Sequence, residues 1–251
     1  MHLTLFPTCL VENFSPRTVQ AVRGILEKHG HTVGVPRGLT CCGQPAFNAG
    51  HWEEARQMAR HTLRVLEAAE GPVIVPSGSC AAMIRRHYPQ LFAEEPSMLA
   101  RAQSLAARTF EFSEFLWEQH PAAPAPQPEH GQPALAYHPS CHLLRSLGIE
   151  TQPQNLLRAA GVPFTSLEAE CCGFGGLFAI DQPELSGALL ARKLEAIEAS
   201  GAQIVTGCDL SCLIHIEGGL RKRGSPVRCM HIAEVLGWGR SVPSPTPNPS
   251  P

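Results

Sequence analysis

A Cys-Cys-Gly triplet occurs twice in this chain, at Cys41-Cys42-Gly43 and Cys171-Cys172-Gly173, each inside a wider thiol frame of nearly the same spacing. Cys9 lies 32 positions before Cys41 and Cys80 lies 38 after Cys42, while Cys141 lies 30 before Cys171 and Cys212 lies 40 after Cys172. The flanks rhyme as well, Pro7-Thr8-Cys9 against Pro139-Ser140-Cys141 and Gly78-Ser79-Cys80 against Leu210-Ser211-Cys212. Core packing readily buries cysteine but does not require matching intervals. Ligation of a soft metal does, so the frame predicts two related sites for a thiophilic metal. An iron–sulfur cluster is the first reading, and tetrahedral thiolate zinc is its rival, mainly in the first half, where only four thiols are on offer. The frame also constrains the fold, because two copies of one site call for two similar halves.

The ten cysteines raise the question of disulfides. Adjacent cysteines are poor partners for one another, and a repeated Cys pattern in a reducing compartment more often binds metal or does redox work. A reducing, cytoplasmic setting is expected here. The start Met1-His2-Leu3-Thr4-Leu5-Phe6-Pro7 has no cationic segment followed by a sustained apolar one, and no stretch approaches the ~18 to 20 apolar residues of a membrane span. The net charge of −2 comes without a basic stripe, which argues against nucleic acid as a partner.

The order of predicted elements repeats on either side of a Pro-rich linker at 121–133, which holds five prolines. The pattern predicts domains at 1–120 and 134–240, with a disordered Pro-rich tail at 241–251. Strands at about 2–6 and 134–138 run into the first cysteine of each frame, and helices follow at about 16–29 and 152–160. Amphipathic helices at about 52–69 and 183–199 follow the triplets; Ala55, Met58, Ala59, Leu63 and Leu66 form one stripe, and Leu190, Leu194 and Ile197 its counterpart. Buried strands around Val73-Ile74-Val75 and Ile204-Val205-Thr206 lead to the last cysteines, and segments 108–116 and 228–236 close the halves. The expected class is α/β, two similar pseudo-symmetric domains, each with a small parallel sheet flanked by helices. Ligands in such sheets gather beyond the carboxyl ends of the strands, where these cysteines fall. Gly43 and Gly173 suit a turn sharp enough for two adjacent thiols to face one core.

Taken together, Phe6-Pro7-Thr8-Cys9, Cys41-Cys42-Gly43-Gln44-Pro45, Cys171-Cys172-Gly173-Phe174-Gly175-Gly176 and Asp209-Leu210-Ser211-Cys212-Leu213-Ile214-His215-Ile216 resemble the Cys-Cys-Gly cysteine-rich domain family. That family includes the cluster-bearing subunits of heterodisulfide reductase, of glycolate oxidase and of anaerobic glycerol-3-phosphate dehydrogenase, and the likeness is nearest to its lactate-utilization members. It covers residues 1 to about 240. The resemblance implies an iron–sulfur electron-transfer subunit of a multi-protein system that oxidises L-lactate, or a related 2-hydroxy acid, to pyruvate. It further implies a ferredoxin-type iron–sulfur subunit and a third lactate-utilization protein as partners, and one or two 4Fe-4S clusters per chain, ordinary or noncubane. The fullest family motif ends in Cys-x-x-Cys and supplies five thiolates; here Met83 and His215 stand where its last cysteine would be.

The candidate ligands are therefore Cys9, Cys41, Cys42 and Cys80 in the first half and Cys141, Cys171, Cys172 and Cys212 in the second, with Cys208 as a further cofactor-binding candidate. No catalytic residue is singled out. Cys229 aligns with Thr109 and reads as core, and His138 aligns with Phe6 and reads as a packed strand end. His142 and His215 adjoin ligands and could hydrogen-bond to sulfur. The phosphate-binding pattern G-x-G-x-x-G is missing from the turn at Gly173. On these grounds the second half, with Cys208, His142, His215 and an open glycine turn, is expected to hold the decisive cluster. A thiol–disulfide reductase of the heterodisulfide type and a zinc-stabilised interaction module are the alternatives.

Overall fold

The structure, a computed structural model, describes residues 1–123 and 133–237. The tail expected at 241–251 and most of the linker expected at 121–133 lie outside them. In the first half the chain runs β1 (His2–Leu5), α1 (Cys9–Phe14), α2 (Pro16–Lys28), β2 (Thr32–Gly34), α3 (Gln44–Asn48), α4 (Trp52–Glu67), β3 (Val73–Val75), α5 (Gly78–Ala82), α6 (Tyr88–Leu91), α7 (Pro96–Ala107), β4 (Thr109–Glu111) and α8 (Phe112–Gln119). The second runs β5 (Leu135–Tyr137), α9 (Thr151–Ala159), β6 (Thr165–Ser166), α10 (Phe178–Asp181), α11 (Pro183–Ala199), β7 (Ile204–Gly207), α12 (Leu210–Lys222), β8 (Arg228–His231) and α13 (Ile232–Leu236).

Each half forms a four-stranded, all-parallel sheet, in the order β2-β1-β3-β4 and β6-β5-β7-β8. In such an order the chain leaves the central pair of strands in opposite directions, which opens a crevice beyond their carboxyl ends. Cys9 follows β1 and Cys80 follows β3; Cys141 follows β5 and Cys212 follows β7. The frame thus puts both outer cysteines of each half at this switch point. The helices that cover the sheets are built on their apolar stripes: Ala55, Ala59, Leu63 and Leu66 of α4 are all sealed from solvent. Burying each of the two leucines contributes about 1.5–3 kcal/mol. Pro16 and Pro183 begin α2 and α11, where the missing N–H has no helical partner to lose.

Register fixes which residues of the two halves correspond. Val73 pairs with Thr109 and Val205 with Cys229, and Leu5 pairs with Ile74 as Tyr137 does with Thr206. Phe6 and His138, one residue on, are therefore equivalent, and their backbone N–H groups donate to Ile74 and Thr206 at 2.9 and 2.7 Å. Cys229 lies in the apolar core beneath β8.

The halves also interlock. The closing helix of each packs on the first long helix of the other, α8 on α9 and α13 on α2. One apolar cluster runs through both, joining Leu3, Leu26 and Phe112 to Tyr137, Leu157 and Ile232. Polar ties cross the same seam, where the buried Glu234 carboxylate accepts from Ser15 Oγ at 3.1 Å and pairs with Arg17 at 2.7 Å.

Candidate metal centre

In the first half a tight turn delivers Cys9. Thr8 has φ +63, the one positive value at a non-glycine among the described residues, and its hydroxyl accepts from Val11 N at 3.4 Å to open α1 at Cys9. After β3, Ser77 caps α5 by accepting from Cys80 N at 3.3 Å, so Cys80 sits in the first turn of a helix. The loop beyond β2 brings in Cys41 and Cys42. Gly43, at φ +88, folds its N–H back to donate to Cys41 Sγ at 3.5 Å. Cys42 Sγ then lies 3.2 Å from Cys80 Sγ, and Tyr88 holds the Cys42 carbonyl with a 2.8 Å hydrogen bond from its hydroxyl. Hydrogen bonds from Cys42, Cys9 and the Gly43 N–H pull Cys41 down to about 3, whereas donation to Cys41 pushes Cys9 and Cys42 up. One thiolate is thus favoured in a group of four thiols.

The second half repeats this chemistry. Gly173, at φ +91, donates to Cys171 Sγ at 3.3 Å, and donations from Cys141, Cys172 and that N–H pull Cys171 down to about 2. Cys141 and Cys172 are pushed up in turn, chiefly by donating to Cys171. Cys212 lies in the first turn of α12. Two groups here have no counterpart in the first half. A ring nitrogen of His138 lies within 4.8 Å of the Cys172 and Cys212 sulfurs, themselves no farther apart than that. His138 is 1 % exposed, neither ring nitrogen has a hydrogen-bond partner among the described residues, and burial lowers it to about 3, so the imidazole is neutral. A buried polar group left in that condition costs about 1–3 kcal/mol. Lys193 is fully sealed, donating from Nζ to Glu168 O at 2.8 Å. Burial lowers it, while Glu170 and the thiols of Cys172, Cys212 and Cys171 favour its charged form. It corresponds to Thr62 of α4: the space beside Gly43 is closed by Ala55 and Met58, that beside Gly173 by Ser186 and Leu189.

Asp209 links the two centres. Its buried carboxylate accepts from Ser77 Oγ at 2.7 Å, Ser79 N at 3.1 Å, Ser79 Oγ at 2.8 Å and Ser140 Oγ at 2.6 Å. Ser79 precedes Cys80, Ser140 precedes Cys141, and Asp209 itself is the N-cap residue of the helix bearing Cys212. One anion, satisfied wholly by hydrogen bonds, holds three cysteine loops from both halves.

A cavity of about 310 Å³ opens beside the first group of thiols. Cys9, Cys41, Cys42 and Cys80 form one wall, while Phe174, Leu177 and Ile180 of the second half face them. The glycine turn expected to leave the second site open instead leans across the halves: Asn48 Nδ2 donates to Gly175 O at 3.5 Å, and a Cβ on Gly176 would stand 3.1 Å from Pro45. Gly173 has no room for a side chain at all, since a Cβ would meet Ser186 O at 2.5 Å.

The structure brings eight of the nine candidate cysteines into two groups and leaves Cys208 apart. Fully buried, Cys208 faces Ser113 Oγ at 3.7 Å, and burial pushes its thiol up. His142 Nδ1 is 3.7 Å from Cys141 Sγ; His215 rests beside Phe174 and Ser186; Met83 is packed in the core. His138 was read only as a packed strand end, and Lys193 and Asp209 escaped sequence reasoning, although Lys193 interrupts the apolar stripe Leu190, Leu194, Ile197, and that interruption is itself a signal.

Two sets of four converging thiols, each with one thiolate favoured and helix N-termini nearby, form a donor set that fits a thiophilic metal. All ten cysteines carry free thiols. Among the described residues no helix is long and apolar enough to cross a membrane. The chain is similar to a hypothetical protein of Helicobacter pylori of known structure, with a TM-score of 0.66 at 10% identity, over 97% of this chain and 49% of that one, a likeness of fold alone. It is 41% identical to lactate utilization protein A of an Exiguobacterium species over 95% of this chain and 98% of that protein. Against the protein of the same name from Bacillus subtilis the identity is 37%, over 94% of this chain and 99% of the relative. The cysteine-rich domain model CCG matches residues 3–85 and again 135–217, so the chain belongs to the CCG cysteine-rich domain family and carries two copies of its domain.

Proposed function

We propose that this protein is an iron–sulfur electron-transfer subunit of a multi-protein system oxidising L-lactate, or a related 2-hydroxy acid, to pyruvate. The observation that carries the reading is the pair of four-thiol groups at the two strand-end switch points; the relatives named lactate utilization protein A supply the substrate. When bound, a 4Fe-4S cluster supplies a one-electron carrier at each group. Cys9, Cys41, Cys42 and Cys80 would hold one, and Cys141, Cys171, Cys172 and Cys212 the other. The chain's remaining work is to fix those thiols and set their surroundings. Gly43 and Gly173 direct their N–H groups at sulfur, Asp209 orders three ligand loops, and Lys193 offsets negative charge at the second group. Phe174, Leu177 and Ile180 line the cavity beside the first.

Electrons must arrive from a site that removes two of them from the hydroxy acid and leave to a carrier. A ferredoxin-type subunit and a third lactate-utilization protein are the partners this reading assigns, in the cytoplasm. The test is iron and acid-labile sulfide quantitation with electron paramagnetic resonance on anaerobically purified chain. Two reducible clusters are expected. Stoichiometric zinc without sulfide would replace this reading with a zinc-stabilised interaction module, and cluster reduction by thiols with none by lactate in the assembled complex would favour a disulfide reductase.

A further inference from the structure

Phe6 and His138 end the central strands of their sheets at equivalent places, yet one is a phenyl ring and the other an imidazole. Phe6 is completely sealed, as a strand end beneath a loop should be. His138 is sealed almost as well, and packing does not account for it, because Nδ1 and Nε2 are both buried without a partner among the described residues. Those nitrogens are also not idle in space. Three donor atoms, one from His138 and the sulfurs of Cys172 and Cys212, lie within 4.8 Å of one another. Donors sharing one tetrahedral metal at bond lengths of about 2.0–2.3 Å stand about 3.3–3.8 Å apart, inside that limit.

We propose that His138 is a metal ligand of the second centre, which is therefore held by an imidazole nitrogen alongside thiolates, while the first centre is held by thiolates alone. The assignment rests on the metal-centre reading above and extends it. Bonding uses the lone pair of one ring nitrogen and leaves the hydrogen on the other. With His138 in one of the four ligand positions, one of the four neighbouring thiols is left unbound. A neutral donor in place of a thiolate brings less negative charge to the metal, and histidine ligation of iron–sulfur centres raises their potential. The two centres of one chain then differ in potential, the second being the better electron acceptor.

The full chain, loaded anaerobically with iron and sulfide and then reduced, is examined by pulsed electron paramagnetic resonance for directly bound ¹⁴N. One centre is expected to show it. His138→Phe, which places at 138 the residue found at the equivalent position of the first half, should abolish the nitrogen signal and lower the potential of one centre while leaving the other unchanged. His138→Gln provides a second variant, with folding of both checked by circular dichroism; should neither fold, the wild-type spectrum decides. No bound nitrogen in wild type carrying both centres overturns the proposal. So does a signal that survives His138→Phe, or one removed instead by His142→Phe or His215→Phe. Chain that takes up zinc but neither iron nor sulfide ends the iron–sulfur reading without touching this one. X-ray absorption of the zinc-loaded chain then decides: a nitrogen neighbour lost in His138→Phe supports His138 as ligand, and sulfur-only coordination in wild type overturns it.

Discussion

Asp209 carries more of the site than any single cysteine, because four hydrogen-bond donors from two ligand loops meet on the carboxylate of a third. Asp209→Asn leaves one acceptor oxygen where there were two and removes the charge. Hydrogen bonds to charged groups contribute about 1.5–3 kcal/mol each, so a loss of about 3–5 kcal/mol is expected in denaturant unfolding, with lower iron content at both centres rather than one. For the thiols, Cys172→Ser should empty the second centre while Cys229→Ser, in the core beneath β8, leaves both filled; iron per chain measures the contrast. Acid should also empty the sites. Cys9, Cys42, Cys141 and Cys172 are pushed up and hold their protons in the metal-free chain. Metal must displace those protons, so its affinity falls as pH falls, which a titration of bound iron against pH records. At this scale the sequence was legible where a residue type repeated at matching intervals. His138 was legible as a packed strand end but not as a donor, and Lys193 not at all, because each occurs once, against Phe6 and Thr62, and repetition is blind to what the halves do not share. Cys208 misled for the opposite reason: four positions from Cys212, it sits at the start of the turn that crosses from sheet to helix, and its side chain faces Ser113 instead.

Glycine turns and helix caps govern the elements. Gly43→Ala meets Met58 Cβ at 3.3 Å and a strained φ, a cost of about 1–3 kcal/mol. Gly173→Ala adds a backbone clash to the same strain, so it should destabilise more than Gly43→Ala and empty the second centre; denaturation midpoints and iron content of the two variants provide the comparison. The cap of α8 makes stability depend on pH. Glu111 accepts from Ser113 and Glu114 N–H groups, yet burial pushes its carboxyl up to about 8 from 4.5, and Oε1 has no partner. A raised folded value means that its contribution is complete below about 4.5 and is lost as pH rises to about 8, at no more than ~1.4 kcal/mol per pH unit. Glu111→Gln should flatten that decline in denaturation experiments between pH 5 and pH 8. Long amphipathic helices were readable to within two residues: 183–199 coincides with α11, and 52–69 ends at Glu67. The edge strands β2 and β6 gave no signal, being three and two residues long. Thr165 and Ser166 are exposed, so no alternation of apolar and polar residues exists to be read.

At the scale of the whole molecule the halves share one core and exchange their closing helices, which predicts a single cooperative unfolding transition. Calorimetry should show one peak, and residues 134–240 expressed alone should not fold, because Leu157 and Ile232 would lose partners from the other half. The duplication was evident from the cysteine intervals, whereas the interlock was not, since no local pattern announces which helix an apolar stripe will meet. Reciprocal packing of α8 on α9 and α13 on α2 is the geometry of an isologous contact, the kind by which two identical subunits associate. Identical subunits must carry identical centres. With both copies in one polypeptide that equality is lifted, and Phe6 can differ from His138, Thr62 from Lys193 and Ser77 from Asp209. His138 and Lys193 both fall beside the second group of thiols, whereas Asp209 serves both groups, so duplication within one chain gives the molecule a direction, one end chemically distinct from the other, that two identical subunits cannot have.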